Sequence, residues 1–168
     1  ESRDVNVLGL SNIINSISID TKVIHFSSDF VYNGQELINS EKTLPSPINY
    51  YGKCKLESEN VLIGSNKPYL ILRISTLFSD KGNNFFNWVY NSLNNNINID
   101  IVDDQIVNPA YSYFLSDTLI ELILLNAVGL YNYGSIDSIS KYNFAVKVAN
   151  EFLFDRNLIN KIKTKDTQ

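Results

Sequence analysis

Segments with apolar residues at helical spacing alternate along the chain with short apolar runs. Residues 4–17 carry apolar side chains at helical spacing, which predicts a helix. Two short apolar runs, at 22–28 and 68–75, predict buried parallel strands. The same patterns predict the remaining elements, which are helices at 50–65, 83–95, 113–127 and 140–154, a strand that runs into a loop at 99–111 and a strand at 129–135.

Strands that alternate with helices predict an α/β fold with a mostly parallel sheet. The polar segment SDKGN, at 79–83, follows the first strand–helix–strand unit and reads as a boundary. We therefore expect two portions, with residues 1–79 in the first and residues 80–168 in a smaller α/β portion. The chain ends on KIKTKDTQ, a polar stretch in which we expect no further element.

Composition excludes several classes of function. The chain has 168 residues, of which 44% are hydrophobic and 19% charged, and its formal net charge is −4. A mildly acidic chain without a basic run is a poor partner for nucleic acid or for an anionic membrane. One cysteine, Cys54, and one histidine, His25, make a zinc site improbable and fit a reducing cytoplasm. We expect a cytoplasmic protein that binds no metal, and we expect His25 to be packed in its strand.

Small polar residues follow both predicted central strands. Ser27, Ser28 and Asp29 end the first strand, and Ser75 and Thr76 end the second. In parallel sheets, ligands bind outside the carboxyl ends of the strands, so these residues mark a predicted ligand edge. The helix between the two strands begins with Tyr51 and Lys55, which are four residues apart and therefore share one face.

A tyrosine and a lysine one helical turn apart allow two interpretations. They can be an ordinary exposed helix start, and the motif alone is weak. They can also be a proton-transfer pair, because an ammonium about 4 Å from a phenol favours the phenolate by roughly 4 kcal/mol at an effective dielectric of 20. A serine hydroxyl beside the phenol could hold a carbonyl oxygen, which suits reduction of a ketone. Because no side chain supplies hydride, that chemistry requires a nicotinamide cofactor.

Five motifs occur in a fixed order along the chain. They are SSDFVYNG at 27–34, PSPINYYGKCKLESE at 45–59, LRIS at 72–75, GNNF at 82–85 and DQIVNP at 104–109. This series resembles the extended short-chain dehydrogenase/reductases that act on nucleotide sugars, and most closely the dTDP-4-dehydrorhamnose reductase family. The resemblance implies that the first portion is the C-terminal part of a Rossmann-like NAD(P)-binding domain and the second a substrate-binding portion.

The resemblance also implies roles for individual residues. Ser28 would orient the substrate carbonyl, Tyr51 would be the general acid, and Lys55 would lower the pKa of Tyr51 and hold the nicotinamide ribose. The cofactor would be NADPH or NADH, bound by Ser27, Tyr51 and Lys55. A nucleotide sugar would be the substrate, and the family allows a homodimer. The residues expected to face the substrate are Ser28, Asp29, Thr76, Asn84, Gln105 and Asn108.

The sequence departs from the family pattern in two ways. The glycine-rich loop that would bind the cofactor pyrophosphate is missing from the 168 residues, so it must lie upstream of Glu1 or be absent, and we expect this portion alone to be inactive. Thr76 also stands where these reductases usually have tryptophan, which affects the predicted sugar specificity.

Two alternatives stay open from the sequence. One is an epimerase or dehydratase of the same superfamily, and the other is a non-catalytic sugar-nucleotide-binding or regulatory module.

Overall fold

A computed structural model describes residues 1–36 and 38–167, with the backbone alone at residue 167. The α-helices are α1 (Leu10–Ser16), α2 (Tyr50–Ile63), α3 (Phe85–Asn94), α4 (Ser112–Leu124) and α5 (Lys141–Glu151). The strands are β1 (Val23–Ser28), β2 (Tyr69–Ile74), β3 (Leu77–Phe78), β4 (Ile99–Val102), β5 (Ile106–Val107), β6 (Ala110–Tyr111), β7 (Gly129–Tyr133), β8 (Ile139–Ser140) and β9 (Ile159–Ile162). The parallel α/β fold predicted from the alternation is confirmed.

Three predicted segments differ from the structure in detail. The first helix begins as a π-helical segment, Asp4–Gly9, and continues as α1. Residues 99–111, predicted as a strand that runs into a loop, contain the strand β4 and two further strands, β5 and β6, of two residues each. The expectation of no element in the C-terminal stretch was wrong, since β9 pairs in parallel with β4 and a 3-10 helix follows at Thr164–Thr167.

By internal contacts the chain divides into two units. Unit 1 contains Glu1–Ser75 and Thr118–Tyr133, and unit 2 contains Thr76–Asp117 and Gly134–Gln168. The chain therefore returns to the first unit through the later part of α4 and through β7, which a single cut near residue 79 does not capture. The functional roles expected for the two portions stay predictions.

Unit 1 is built on a parallel sheet with the order β1-β2-β7. Val23 lies opposite Tyr69 and Ser28 opposite Ile74, so β1 and β2 end together. The buried residues under this sheet come from α1, β1, α2 and β2, and they are Leu10, Ile14, Val23, Leu62 and Ile71. This register places the residues that follow β1 and β2 at one edge of the sheet.

Unit 2 has its own hydrophobic core between short strand pairs and two helices. Strands β3 and β6, and β4 and β9, pair in parallel, whereas β5 and β8 pair antiparallel. The core is formed by Val89, Leu93, Ile99, Ile101, Phe144, Ala145, Val148, Ala149 and Ile159. In the part of the chain that the structure describes, no helix is long and apolar enough to cross a membrane.

Helix α2 begins in close contact with the turn that follows β1. Asn49 caps the helix, because its side-chain oxygen accepts a hydrogen bond of 2.7 Å from the Gly52 backbone N–H. A Cβ at Gly52 would lie 2.1 Å from the backbone oxygen of Phe30 and 3.0 Å from Cβ of Pro47. Only a residue without a side chain lets α2 approach the turn this closely.

His25 joins β1 to the middle of α2. Its Nε2 lies 2.9 Å from the Ser58 hydroxyl, which is 2.7 Å from the Lys55 backbone oxygen. Because the serine hydroxyl donates its hydrogen bond to that carbonyl, its oxygen accepts a hydrogen bond from the Nε2–H group of a neutral imidazole. Burial, followed by the Lys55 charge, lowers the pKa of His25 from 6.5 to about 4.

The substitution Gly52→Ala should destabilise the protein. The added methyl group would collide with a backbone oxygen, and overpacking of this kind costs about 1–3 kcal/mol. Urea unfolding measures the change. Gly9→Ala is the matched control, because its Cβ would be 3.6 Å from its nearest neighbour and should leave stability unchanged or slightly raised. Equal midpoints for Gly52→Ala and the unmodified protein would contradict the close approach.

Stability should fall as pH decreases from about 6.5 towards 4. The folded-state pKa of His25 is lowered, so the unfolded state binds more protons than the folded state in that window. After allowance for partial solvent exposure, this group should make the free energy of unfolding about 1–2 kcal/mol smaller at pH 5 than at pH 7. Urea titrations at both pH values should show a smaller decrease for His25→Gln. The same decrease in both proteins would contradict the assignment.

Candidate active site

Ser28 ends β1 and shapes the turn that follows it. Its side-chain oxygen accepts a hydrogen bond of 3.2 Å from the Phe30 backbone N–H, and so caps the 3-10 turn Asp29–Val31. Its hydroxyl also donates to the Asp29 carboxylate at 3.2 Å. The hydroxyl of Ser28 is therefore fixed at the carboxyl edge of the sheet, where the sequence predicted a ligand.

Tyr51, in the first turn of α2, brings its phenol to the same place. The Ser28 side chain lies close enough to the phenol to influence its pKa. Its ring packs edge-on against Phe30, with centroids 5.9 Å apart and planes inclined by 78°. The side chain is 43% exposed, so solvent or a ligand can reach it. The structure thus brings Ser28 and Tyr51 together.

Lys55 lies one helical turn after Tyr51, on the same face of α2. Its ammonium donates a hydrogen bond of 2.8 Å to the Phe26 backbone oxygen and lies 5.9 Å from the centroid of the Tyr51 ring. Burial lowers the pKa of Lys55, and the Glu59 carboxylate acts in the opposite direction. The ammonium is therefore held between β1 and the phenol.

The expected effect of Lys55 on the phenol is not what the structure shows. The pKa of Tyr51 is raised, first because burial disfavours the phenolate and then because the Asp29 carboxylate repels it; the nearby Ser28 hydroxyl acts in the opposite direction. Within the described part of the chain, Lys55 is not among the groups that shift this pKa. Its hydrogen bond to Phe26 directs the ammonium to a backbone carbonyl.

Asp29 links the ends of β1 and β2. Burial raises the pKa of its carboxyl, and hydrogen bonds from the Ser75 and Ser28 side chains act in the opposite direction. The sequence placed Ser75 at this edge without giving it a role. Its contact with Asp29 shows that the two strand ends form one connected group.

The side chain of Ser27, which we expected beside the cofactor, forms its hydrogen bond inside the protein. Its buried hydroxyl donates a short hydrogen bond to Glu59, which is also paired with Arg73. Neighbouring residues of a strand point to opposite faces, so the Ser27 side chain points away from the Ser28 site. We therefore do not keep the Ser27 side chain among the cofactor-binding groups. Sequence reasoning missed Glu59 and Arg73 as a pair, although both lie in motifs that it identified.

The four remaining predicted residues lie in unit 2, where each supports local structure. Asn84 caps α3, accepting a hydrogen bond from the Asn87 backbone N–H at 3.1 Å. Gln105 accepts from the Lys141 ammonium at 2.6 Å and donates to the Thr164 hydroxyl at 3.1 Å.

Asn108 and Thr76 also hold loops of unit 2. The Asn108 amide donates to the Ser135 and Asp137 backbone oxygens, at 3.1 and 3.2 Å. The Thr76 backbone oxygen accepts from the Ala110 N–H at 2.9 Å, beside the pair of β3 and β6. Their expected contacts with substrate stay predictions.

Residues 1–36 and 38–167 contain no group of three or more His, Cys, Asp or Glu side chains that could hold a metal ion. The groups that the site offers are hydroxyls, one phenol, one ammonium and one buried carboxyl. Such groups can orient a carbonyl oxygen and move a proton.

Sequence comparison finds close relatives over almost the whole chain. A dTDP-4-dehydrorhamnose reductase of Aggregatibacter actinomycetemcomitans is 30% identical over 175 aligned positions, which cover 96% of this chain and 60% of that protein.

Solved structures of similar proteins superimpose closely. The dTDP-4-dehydrorhamnose reductase of Bacillus anthracis, crystallised in complex with NADP, has a TM-score of 0.90 at 27% identity and covers 98% of this chain. An orthologue from Clostridium acetobutylicum has a TM-score of 0.91 at 26% identity and covers 99%. This chain spans 60% and 59% of those two chains, so it corresponds to about three fifths of its relatives' length.

The family assignment has its broadest support in a profile that matches the entire chain. The profile is that of the RmlD substrate binding domain, and it covers residues 1–168. The resemblance read from the five sequence motifs is confirmed by this match and by the similar proteins. The chain therefore belongs to the RmlD substrate-binding domain family.

Proposed function

We propose that the protein carrying this chain is an NAD(P)H-dependent reductase of a 4-keto-sugar nucleotide. The observation that carries the proposal is the proximity of the Ser28 hydroxyl and the Tyr51 phenol at the carboxyl edge of the parallel sheet, with Lys55 one helical turn away. The substrate class is taken from the relatives, which are named dTDP-4-dehydrorhamnose reductases.

In this proposal the two hydroxyls meet the substrate carbonyl. Ser28, held by the Phe30 N–H, orients the carbonyl oxygen, and Tyr51 gives that oxygen its proton. The neighbouring Asp29 carboxylate helps to keep Tyr51 protonated, because it raises the pKa of the phenol. A proton donor must be protonated when substrate arrives, so this environment suits the role.

The residues of unit 1 also fit the nicotinamide end of a cofactor. Lys55 lines an open cleft of about 440 Å³ beside β1, with apolar walls from residues such as Val5, Ile13 and Phe26. The Lys55 ammonium would donate hydrogen bonds to ribose hydroxyls, and the apolar side chains would suit the nicotinamide ring. When bound, NADPH or NADH supplies hydride to the carbonyl carbon.

The substrate side of the proposal consists of five polar residues. They are Asp29, which lies beside Ser28, and Thr76, Asn84, Gln105 and Asn108. Amide and hydroxyl groups of this kind suit the hydroxyls of a sugar and the polar edge of a base. We propose all five as substrate-binding residues.

The substitution Tyr51→Phe should abolish most of the turnover. It removes the proton donor but keeps the ring, so kcat should fall about 10²–10⁴-fold while the KM values for substrate and cofactor stay within about threefold. The assay follows NAD(P)H oxidation with a 4-keto-sugar nucleotide, in protein expressed from its complete reading frame.

The adjacent Tyr50→Phe is the matched control, because Tyr50 is 63% exposed and lies outside the proposed site. Unchanged turnover of Tyr51→Phe would remove Tyr51 from the mechanism. If the unmodified protein oxidises no NAD(P)H with this substrate, the reductase proposal is wrong. A converted nucleotide sugar without net NAD(P)H consumption would identify an epimerase.

The pH dependence of kcat/KM should report the raised pKa of Tyr51. This parameter follows the ionisation of the free enzyme. Because the phenol pKa lies above its ordinary value of 10, the donor stays protonated and kcat/KM should be level from about pH 7 to 9 with respect to this group. It should decrease above about pH 10. A decrease centred below about pH 8 that is absent in Tyr51→Phe would contradict the raised pKa. It would show that the Lys55 charge lowers the pKa of the Tyr51 phenol.

A further inference from the structure

A buried ion pair lies directly behind the candidate active site. Glu59 of α2 and Arg73 of β2 have side chains that are 1% and 4% exposed. The guanidinium donates two hydrogen bonds to the carboxylate, of 2.9 Å from Nε and 2.6 Å from Nη2. Ser27 donates to the same carboxylate from β1, so three elements of unit 1 meet at this charge.

The other side of Arg73 reaches the far end of the turn that follows β1. Its Nη1 donates to the Tyr32 hydroxyl at 2.8 Å. The Tyr32 hydroxyl also lies 3.0 Å from the Ser40 backbone oxygen and 2.9 Å from the Asn132 side-chain oxygen on β7. The Tyr32 backbone N–H donates to the Asp29 backbone oxygen at 3.0 Å, which closes the 3-10 turn.

Three members of this network lie close in sequence to residues of the candidate site. Ser27 precedes Ser28, and Glu59 follows Lys55 by one helical turn on the same face of α2. Arg73 precedes Ser75 by two residues, and Ser75 bonds Asp29. The network therefore touches all three backbone segments that present the site.

Stability alone is a poor explanation for such a pair. Removing two charges from water costs several kcal/mol per ion, and well-packed apolar residues of similar volume often give equal or greater stability. A bidentate guanidinium–carboxylate pair differs from an apolar contact in that it fixes both distance and angle. The side chains that it joins here are those whose backbones must be aligned for Ser28, Tyr51 and Lys55 to meet.

We propose that Glu59 and Arg73, with Ser27 and Tyr32, are positioning residues that align α2 and the turn after β1 for catalysis. They do not touch substrate or cofactor in this proposal, and they act through Ser28, Tyr51 and Lys55. The inference rests on the proposed reductase function, and its test contains a measurement that does not depend on turnover.

The first test is Glu59→Gln in protein from the complete reading frame. This variant keeps the shape of the Glu59 side chain and loses its charge. The contact with the Arg73 guanidinium is therefore weaker, and its angle is less well fixed. The kcat value should fall about 10–100-fold, as expected for a small misplacement of reacting groups, while KM for NAD(P)H changes less than about threefold. Glu57→Gln is the matched control: Glu57 lies two residues away on the same helix and forms an exposed ion pair with Arg3, so kcat should be unchanged.

A double variant separates positioning from stability. Glu59→Leu combined with Arg73→Met removes both buried charges and fills the space with apolar groups, so thermal stability should recover relative to Glu59→Gln. If the network positions the site, kcat of the double variant stays reduced. Recovery of kcat together with stability would overturn the proposal, because packing alone would then be sufficient.

Hydrogen exchange of the Phe30 amide provides the measurement without turnover. This amide is bonded to the Ser28 oxygen, so its exchange should be faster in Glu59→Gln than in Glu57→Gln. Unchanged exchange and unchanged kcat in Glu59→Gln would overturn the positioning role. If the unmodified protein has no reductase activity, the proposed function fails, and faster or unchanged exchange still decides whether the pair aligns the turn.

Discussion

The approach of Gly52 to the Phe30 backbone oxygen is the constraint on which the candidate site depends. With a Cβ at 2.1 Å from that oxygen, any other residue would push α2 away from the turn. The phenol of Tyr51 would then move away from the Ser28 hydroxyl, because both groups are held by short, rigid segments. A tight backbone contact therefore decides whether a hydroxyl from a strand and a phenol from a helix can act on one atom. The chemistry follows from packing.

Burial is the main electrostatic influence on the site in the structure without ligands. It raises the pKa of Tyr51 and of Asp29 and lowers that of Lys55, since it disfavours the charged form of each group. The Coulomb estimate made from sequence spacing assumed an ammonium about 4 Å from the phenol, whereas Lys55 is directed to the Phe26 carbonyl. A helix face determines which side chains are neighbours, but the hydrogen-bond partners determine which of them interact.

The sequence predicted those elements of the fold that are long enough to show a pattern of apolar residues or a motif. Strands β1 and β2 and helix α2 were identified because apolar runs and motifs define them. The two-residue strands β3, β5, β6 and β8 are too short to show a period, and β9 lies in a mostly polar segment. Ser27 and Ser28 could have been separated, because strand alternation points adjacent side chains to opposite faces. Predicting the pairing of Glu59 with Arg73 requires the register of β2 against β1 and the position of α2 over these strands. The local sequence contains neither piece of information.

The predicted substrate residues of unit 2 already support the local structure of the protein. Asn84 caps α3 and donates to the Ser79 and Lys81 backbone oxygens, while Gln105 is held by Lys141 and Thr164. Side chains fixed in this way lose little conformational entropy on binding, which lowers the cost of recognising a polar ligand. Their hydrogen-bonding capacity is already partly used, so a nucleotide sugar must either bond to the remaining lone pairs or replace an internal partner. Because replacement costs a protein hydrogen bond for each new one formed, the geometry favours ligand groups that add to the existing network.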